Sequence, residues 1–293
     1  MTPPEPVLKK RTIAEIKAGA KVCIYCHQRL HFLNRSIEHM PPKGMFKGSQ
    51  RLKGMEFGVC KSCNVGTSAA DAAVAFFARI DMFGNDTTDW KTQEMVKFLK
   101  SADDSAPGFA KELLGDGSER DVIRETPGGV LVSLAEIHTG PISGAFLNVF
   151  AAKLGMALYH EHRGEPLPPT GGVHGMWFLN AGLSETTAEG FLKILPGFNT
   201  LTAGRLSAEG QFAYRYNSDD KGIVAALTHI QGNIHFFTIA MAEPNVFGFP
   251  KQMPCSAFVR PGELLSHMPN RCSPIITPMP PHFLYPSLIL SKQ

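Results

Sequence analysis

The first 64 residues contain no aspartate and only four glutamates, against twelve lysines and arginines, which gives this segment a net charge of +8. The remainder carries 17 basic and 22 acidic residues and sums to −5, so the overall +3 conceals one basic end. A surplus confined to one segment points to a polyanionic partner there, phosphate foremost, although a solvated charged face would carry the same charge. No charged-then-apolar leader opens the chain. The most apolar windows, "AAVAFFARI" and "FLNVFAAKLGMALY", read as too short or too interrupted by charge to span a bilayer. Membrane insertion is therefore not expected, and a cytoplasmic location is. Internal repeats and low-complexity tracts are missing too. What remains is ordinary for a packed globular protein: 293 residues with 43% hydrophobic content, enough for one large domain or two modest ones.

Cysteine is also scarce. Four of the six fall in two close pairs, "CIYC" (Cys23, Cys26) and "CKSC" (Cys60, Cys63), while Cys255 and Cys272 stand alone. Without a secretion signal, paired Cys-x-x-Cys motifs point to a metal before disulfides, and four thiolates suit one tetrahedral structural Zn²⁺; redox pairs are the alternative. The two lone cysteines read as buried, thiol-bearing small hydrophobes. A closed four-thiolate zinc braces a fold but touches no substrate, so any chemistry lies elsewhere.

The coarse reading along the chain is α+β. A short helix is expected at Thr12 to Lys17, a strand through "NRSIEH", a basic loop from Pro41 to Gly54, and a second strand at "MEFGV". A helix follows, with the second cysteine pair at its N-terminus. Another helix is expected near Trp90 to Lys100, and "SADDSAPG" reads as a linker. This divides the chain into a small N-terminal module, 1–100, and a larger domain, 101–293. In the second part "VLVSL" and "HGMWFLNAG" read as strands, "FLNVFAAKLGMALYHEH" as a long helix, and "QFAYRY", "GIVAALTHI" and "NIHFFTIAM" as an antiparallel meander. The tail "PIITPMPPHFLYP" reads as irregular, held to the surface by Phe283 and Tyr285.

Between the cysteine pairs, which 33 residues separate, stands "RSIEHMPPKGMF". It sets Glu38 beside His39 and follows them with Pro41 and Pro42, which end any helix. Asn64 comes directly after the last cysteine. The combined pattern, Cys-x2-Cys, then acid-His-x-Pro-Pro, then Cys-x2-Cys-Asn, resembles the zinc-stapled form of the HNH, or ββα-metal, nuclease family over about residues 20–80. That resemblance implies a small ββα fold and a metal-dependent endonuclease hydrolysing phosphodiester bonds, in DNA ahead of RNA. It implies His39 as the general base on water, a task suited to a neutral imidazole. It also implies Glu38 and Asn64 as ligands of one catalytic Mg²⁺ or Mn²⁺. Two departures accompany it: Glu38 stands where the family usually has aspartate, and no asparagine lies between Asn34 and Asn64 to brace the loop.

Lys43, Lys47, Arg51 and Lys53 are the expected phosphate contacts beside this pair. The competing reading is a catalytically inactive zinc module that binds nucleic acid or a protein partner. The second part carries no motif that separates recognition, ligand sensing and homodimerisation. His160 and His162, two apart on a helix, face different ways and are not expected to share a metal. His229 and His235 read as structural residues flanking a hairpin turn, Trp177 as core, and His138 and His174 as residues without an assigned partner.

Overall fold

Thr12 opens the first helix, α1 (Ile13–Gly19), with a capping box: its hydroxyl accepts from the Glu15 N–H, and the Glu15 carboxylate accepts from the Thr12 N–H. The computed structural model describes residues 12–46, 51–79, 89–115, 119–125, 131–137, 139–179, 185–203, 206–219, 221–244 and 256–269. Lys47, His138, Cys255, Cys272 and the Pro-rich tail with Phe283 and Tyr285 lie outside them.

After α1 the chain makes the first Cys-x2-Cys turn and enters strand β1 (Arg35–His39). The basic loop contains one 3₁₀ turn, Lys43–Met45, before strand β2 (Glu56–Cys60) returns antiparallel to β1. Arg35 lies opposite Cys60, Glu38 opposite Phe57, and His39 opposite Glu56. Cys60 then caps α2 (Lys61–Gly66), which leads into the Ala-rich α3 (Ser68–Arg79). Both expected strands and the helix after them are therefore present in the expected order.

Helix α4 (Asp89–Ser105) runs further than expected, straight through residues 100 and 101. The chain does not change domain there; only Ala106–Gly108 breaks the helix before α5 (Phe109–Leu114). A hairpin, β3 (Glu119–Glu125) and β4 (Leu131–Ile137), precedes the central helix α6 (Pro141–Arg163). Both α6 termini are satisfied locally. The Glu112 carboxylate accepts from the N–H groups of Ile142 and Ser143 at 2.7 Å each, placing negative charge on the positive end of the helix. Gly164, at φ 77°, ends it in the left-handed conformation and donates to the His160 carbonyl. By length and composition α6 could cross a membrane, contrary to expectation, but 83% of its most apolar window is buried inside the fold, so it is spent as a core helix.

Around α6 the rest of the chain builds one antiparallel sheet. In chain order come β5 (Gly172–Leu179), α7 (Glu185–Ile194), β6 (Gly197–Thr200), the short pair β7 (Thr202–Ala203) and β8 (Leu206–Ser207), β9 (Phe212–Ser218), β10 (Ile223–Ile230), β11 (Ile234–Met241) and β12 (Ser256–Val259). The sheet order is β12-β5-β11-β10-β9-β6, with the expected β9-β10-β11 meander at its centre. Alternation along β10 buries Val224, Ala226, Thr228 and Ile230 on the side facing α6. Gly155 of α6 and Gly175 of β5 let helix and sheet approach, since a Cβ at either would come within 2.7 Å of Val173 or Ala151. Trp177 donates to Asn148 of α6 at 3.1 Å.

The N-terminal hairpin and helices are not a separate body beside this layer. One continuous hydrophobic cluster runs from Cys23 and Phe57 through Phe76, Phe109 and Phe150 to Phe236. Polar stitches reinforce it: Gln231 donates to the Met45 carbonyl, Asn233 to Ala78, Gly262 to Tyr25, and His27 to Leu167. The fold is thus α+β, with the small module seated on α6 and the sheet.

As expected, the histidines at the end of α6 split. His160 sets its ring against Phe57, and His162 stacks on Tyr216 at 4.0 Å. His229 and His235 are register partners next to the turn joining β10 and β11, and His174 lies against Phe258. Burial pushes His162 down to about 4. The folded chain holds this ring neutral, whereas the unfolded chain binds its proton near the usual value of about 6.5. Its contribution to stability is therefore present above about 6.5 and is lost as pH falls towards 4. His162→Phe keeps the stack but removes the titration. Melting measured between neutral pH and pH of about 4.5 should fall less steeply for the variant than for the parent; parallel curves would clear His162 of a role.

Candidate functional site

Tight turns hold the four paired cysteines at one point. The Cys23 sulfur accepts from the Tyr25 N–H and the Cys60 sulfur from the Cys63 N–H, both at 3.4 Å, while Ser62 lies 3.0 Å from Cys60. His27, at φ 57°, turns the chain back so that the Cys23 N–H reaches the Gln28 carbonyl. All four sulfurs lie within 4.8 Å of one another, and Cys26 and Cys60 are 3.6 Å apart. Four ligands at the Zn–S distance of about 2.3 Å in a tetrahedron stand about 3.8 Å apart, so the cluster can hold a metal ion such as zinc. Hydrogen bonding from Cys23, then Cys63, holds the Cys26 thiol down to about 2, and the same Cys23–Cys26 bond pushes Cys23 up to about 12.

The cluster clamps the hairpin at the end where Arg35 faces Cys60, and His39 lies at the other end. One hairpin face carries Ser36, Glu38, Phe57 and Val59. The opposite face, with Ile37 and Gly58, is closed by the segment after α1, where a Cβ on Gly58 would meet the Ala20 Cβ at 2.2 Å. Asn64, on α2, reaches the first face: its amide nitrogen donates to the Ser36 hydroxyl at 2.6 Å and to the Ile37 carbonyl at 3.3 Å. Those bonds engage the nitrogen, so the amide oxygen is the atom with lone pairs to offer a proton donor or a cation. The helix is thus laid across the hairpin on the side of Glu38.

Glu38 itself points inwards and is only 3% exposed. Its Oε1 lies 3.6 Å from the Lys153 ammonium, and its Oε2 is buried with no hydrogen-bond partner among the described residues. Lys153, fully buried on α6, donates to both oxygens of Asp71 on α3 at 2.7 and 2.8 Å. Burial pushes the Glu38 carboxyl up to about 7, against the pull of Lys153. Burial also disfavours the Lys153 ammonium, but Asp71 and Glu38 outweigh it and leave its pKa above the ordinary value. Tyr25 buries its hydroxyl beside this group, with no hydrogen-bond partner among the described residues. An orphaned carboxylate oxygen and a spare amide oxygen on one face are hard donors of the kind Mg²⁺ or Mn²⁺ takes. The chemistry of the donors fits such an ion, while the depth of Glu38 and its contact with Lys153 separate it from solvent.

His39 is half-buried, and burial, then Arg51 and Lys43, lowers its pKa below the usual imidazole value. It is therefore neutral at pH 7. The four expected phosphate contacts divide. Lys43 and Lys53 are exposed, and Lys47 lies outside the described residues. Arg51 is placed differently from expectation: its side chain is 1% exposed and ion-paired to Glu56 at 2.7 Å. Its guanidinium donates to the carbonyls of Pro41 (2.7 Å), Met40 (2.9 Å) and Leu52 (2.9 Å), and to that of Gly54. Five donors in a rigid fork suit this task, and Arg51 supplies the loop bracing for which the segment has no asparagine.

Sequence reasoning missed Lys153, Asp71 and Tyr25. The signal was a lone lysine in "FAAKLGM" and a lone aspartate in "SAADAAVAFF", since a single charge inside an apolar run on a core helix needs a buried partner. No family model, no curated protein and no solved structure matches this chain.

Lys153→Met should cost about 3–5 kcal/mol at neutral pH, because it takes the cation from the part-buried Asp71 carboxylate and forces the buried Glu38 to take up a proton or stay unpaired. The loss should shrink at about pH 5, where both acids can take up protons. Urea denaturation of parent and variant at the two pH values measures this, and a loss under about 1 kcal/mol at neutral pH would contradict the buried pairing.

Proposed function

We propose that this chain is a zinc-stapled, HNH-type endonuclease that hydrolyses phosphodiester bonds in DNA. One observation carries the reading: α2 lies across the β1–β2 hairpin with Asn64 bonded to β1 on the Glu38 face, next to the four-cysteine cluster. The order strand, loop, strand and helix supports the reading, as does the position of Glu38 and His39 on β1 and of Asn64 on α2.

In this reading the cysteines hold one structural zinc, which joins the start of β1 to the end of β2 and spares the short hairpin from depending on its own core. His39 takes the proton from the attacking water; its lowered pKa keeps the acceptor nitrogen free near neutral pH. Glu38 Oε2 and the Asn64 carbonyl oxygen are the groups that would hold a divalent ion, whose chemistry when bound is to stabilise charge on the phosphate and leaving oxygen. Arg51 fixes the loop around Pro41 and so the direction in which His39 leaves the strand. Lys43 and Lys53, exposed on that loop, meet phosphates.

A second reading rests on the burial of Glu38. A carboxylate 3% exposed and already facing Lys153 suits a core ion pair, which favours a zinc module that binds nucleic acid without cutting it. Supercoiled plasmid incubated with Mg²⁺ or Mn²⁺ separates the two. The nuclease reading expects nicked and linear products from the parent and a loss of at least about 100-fold in rate for His39→Ala. Equal cutting by both proteins, or none by the parent, rejects it. Elemental analysis should find about one zinc per chain, and Cys60→Ser should lose the zinc and lower the melting temperature.

A further inference from the structure

The turn that leads into β1 presents two apolar side chains to solvent, Phe32 at 84% and Leu33 at 61% exposure. One exposed hydrophobe on a surface needs no explanation, but two adjacent ones on a rigid turn are a built feature. The turn is tied from within. The His31 N–H donates to the Asn34 side-chain oxygen at 2.8 Å, the Asn34 amide donates to the Arg29 carbonyl at 3.0 Å, and the Arg35 N–H donates to the His31 carbonyl at 3.0 Å. The Arg35 guanidinium then gathers the carbonyls of Ala20 and Leu30 at 3.3 and 3.4 Å, and that of Lys17. Polar groups are consumed inside the turn, and the two apolar tips remain outside.

The residues joined to this turn through the backbone are basic. The Lys61 N–H donates to the Asn34 carbonyl at 2.7 Å, the Leu30 N–H donates to the Lys21 carbonyl at 2.8 Å, and Arg29 bridges back to Val22. Lys17, Lys21, Arg29 and Lys61 are all exposed. The neighbouring acid on α1, Glu15, is held in its capping box, and the first 64 residues contain no aspartate. An aromatic and a leucine set among four exposed cations match a nucleic acid better than a protein: phosphates meet the cations, and a π-face is offered to a base.

We propose that the 31–34 turn, with Lys17, Lys21, Arg29 and Lys61, is a DNA-binding site separate from the His39 loop. Phe32 stacks on a base, and Leu33 wedges beside it. The site rests on the nucleic-acid part of the function proposed above and not on cleavage. Arg35 and His39 are four residues apart on β1, about 13 Å at the rise of an extended strand. At about 3.4 Å per nucleotide that is roughly four nucleotides, so this contact engages DNA flanking the phosphate that faces His39.

The test uses the zinc-loaded full chain and short fluorescein-labelled DNA, single-stranded and duplex, with no Mg²⁺ or Mn²⁺ added, read by anisotropy across a salt series. Phe32→Ala with Leu33→Ala should weaken binding about tenfold with zinc content unchanged. Replacing Lys17, Lys21, Arg29 and Lys61 by glutamine should flatten the slope of log affinity against log salt by about 3. Lys193→Gln with Lys221→Gln, two exposed lysines far along the chain, should change neither. Unchanged DNA affinity in both patch variants overturns the proposal, as it would if the patch served a protein partner; so does a parent that binds neither form of DNA. Cutting is a separate readout: a parent that binds through the patch and never cuts supports this site while rejecting the endonuclease reading.

Discussion

A lysine ammonium buried in a protein core must find negative charge there, and Lys153 finds it on two elements of the N-terminal module. Asp71 on α3 takes two short hydrogen bonds, and Glu38 on β1 lies at 3.6 Å. Removing three charges from water costs several kcal/mol each, and only close pairing returns it. The contact therefore selects one placement of the hairpin over α6, and any shift of the hairpin would expose charge to an apolar surrounding. Phe57 against His160 and the stitches from Gln231 and Asn233 follow from that placement.

The same contact links the candidate site to the rest of the chain. Glu38, the acid beside the candidate base, owes its position to a residue 115 places later in the sequence. The larger part of the fold thus holds the site together, whatever else it recognises. Alternation along β1 sends Glu38 to the core and His39 towards the loop, so the two neighbours sit in different environments and titrate in opposite directions: Glu38 is raised to about 7, and His39 is lowered. Arg51 completes this arrangement. A loop with so many carbonyls turned inwards needs a donor-rich brace, and a buried guanidinium paired with Glu56 serves as one.

Much of the architecture was legible from local pattern. The short helix after Thr12, the two strands about the Pro-Pro loop, the long apolar helix and the β9–β11 meander each follow from periodicity and turn chemistry acting over a few residues. Convergence of the four cysteines was legible too, because each Cys-x2-Cys spacing bends the chain around one point and the two expected strands between the pairs return the second point to the first. The domain boundary was not. "SADDS" is polar enough to read as a linker, yet it forms the last turn of α4, and shared apolar surface, which local composition does not report, merges the two parts into one core.

The sequence by itself determined the order of elements, the two cysteine pairs, and which residues carry acid, base and amide between and beside them, since these depend on spacing within single segments. Tertiary structure alone decided what those residues touch. It buried Glu38 against Lys153, turned Arg51 from an expected phosphate contact into a brace, and left Phe32 and Leu33 in solvent beside four cations. The physical reason is common to all three: the state of a charged or apolar side chain is set by what lies across from it, and its partners here come from elements distant in sequence.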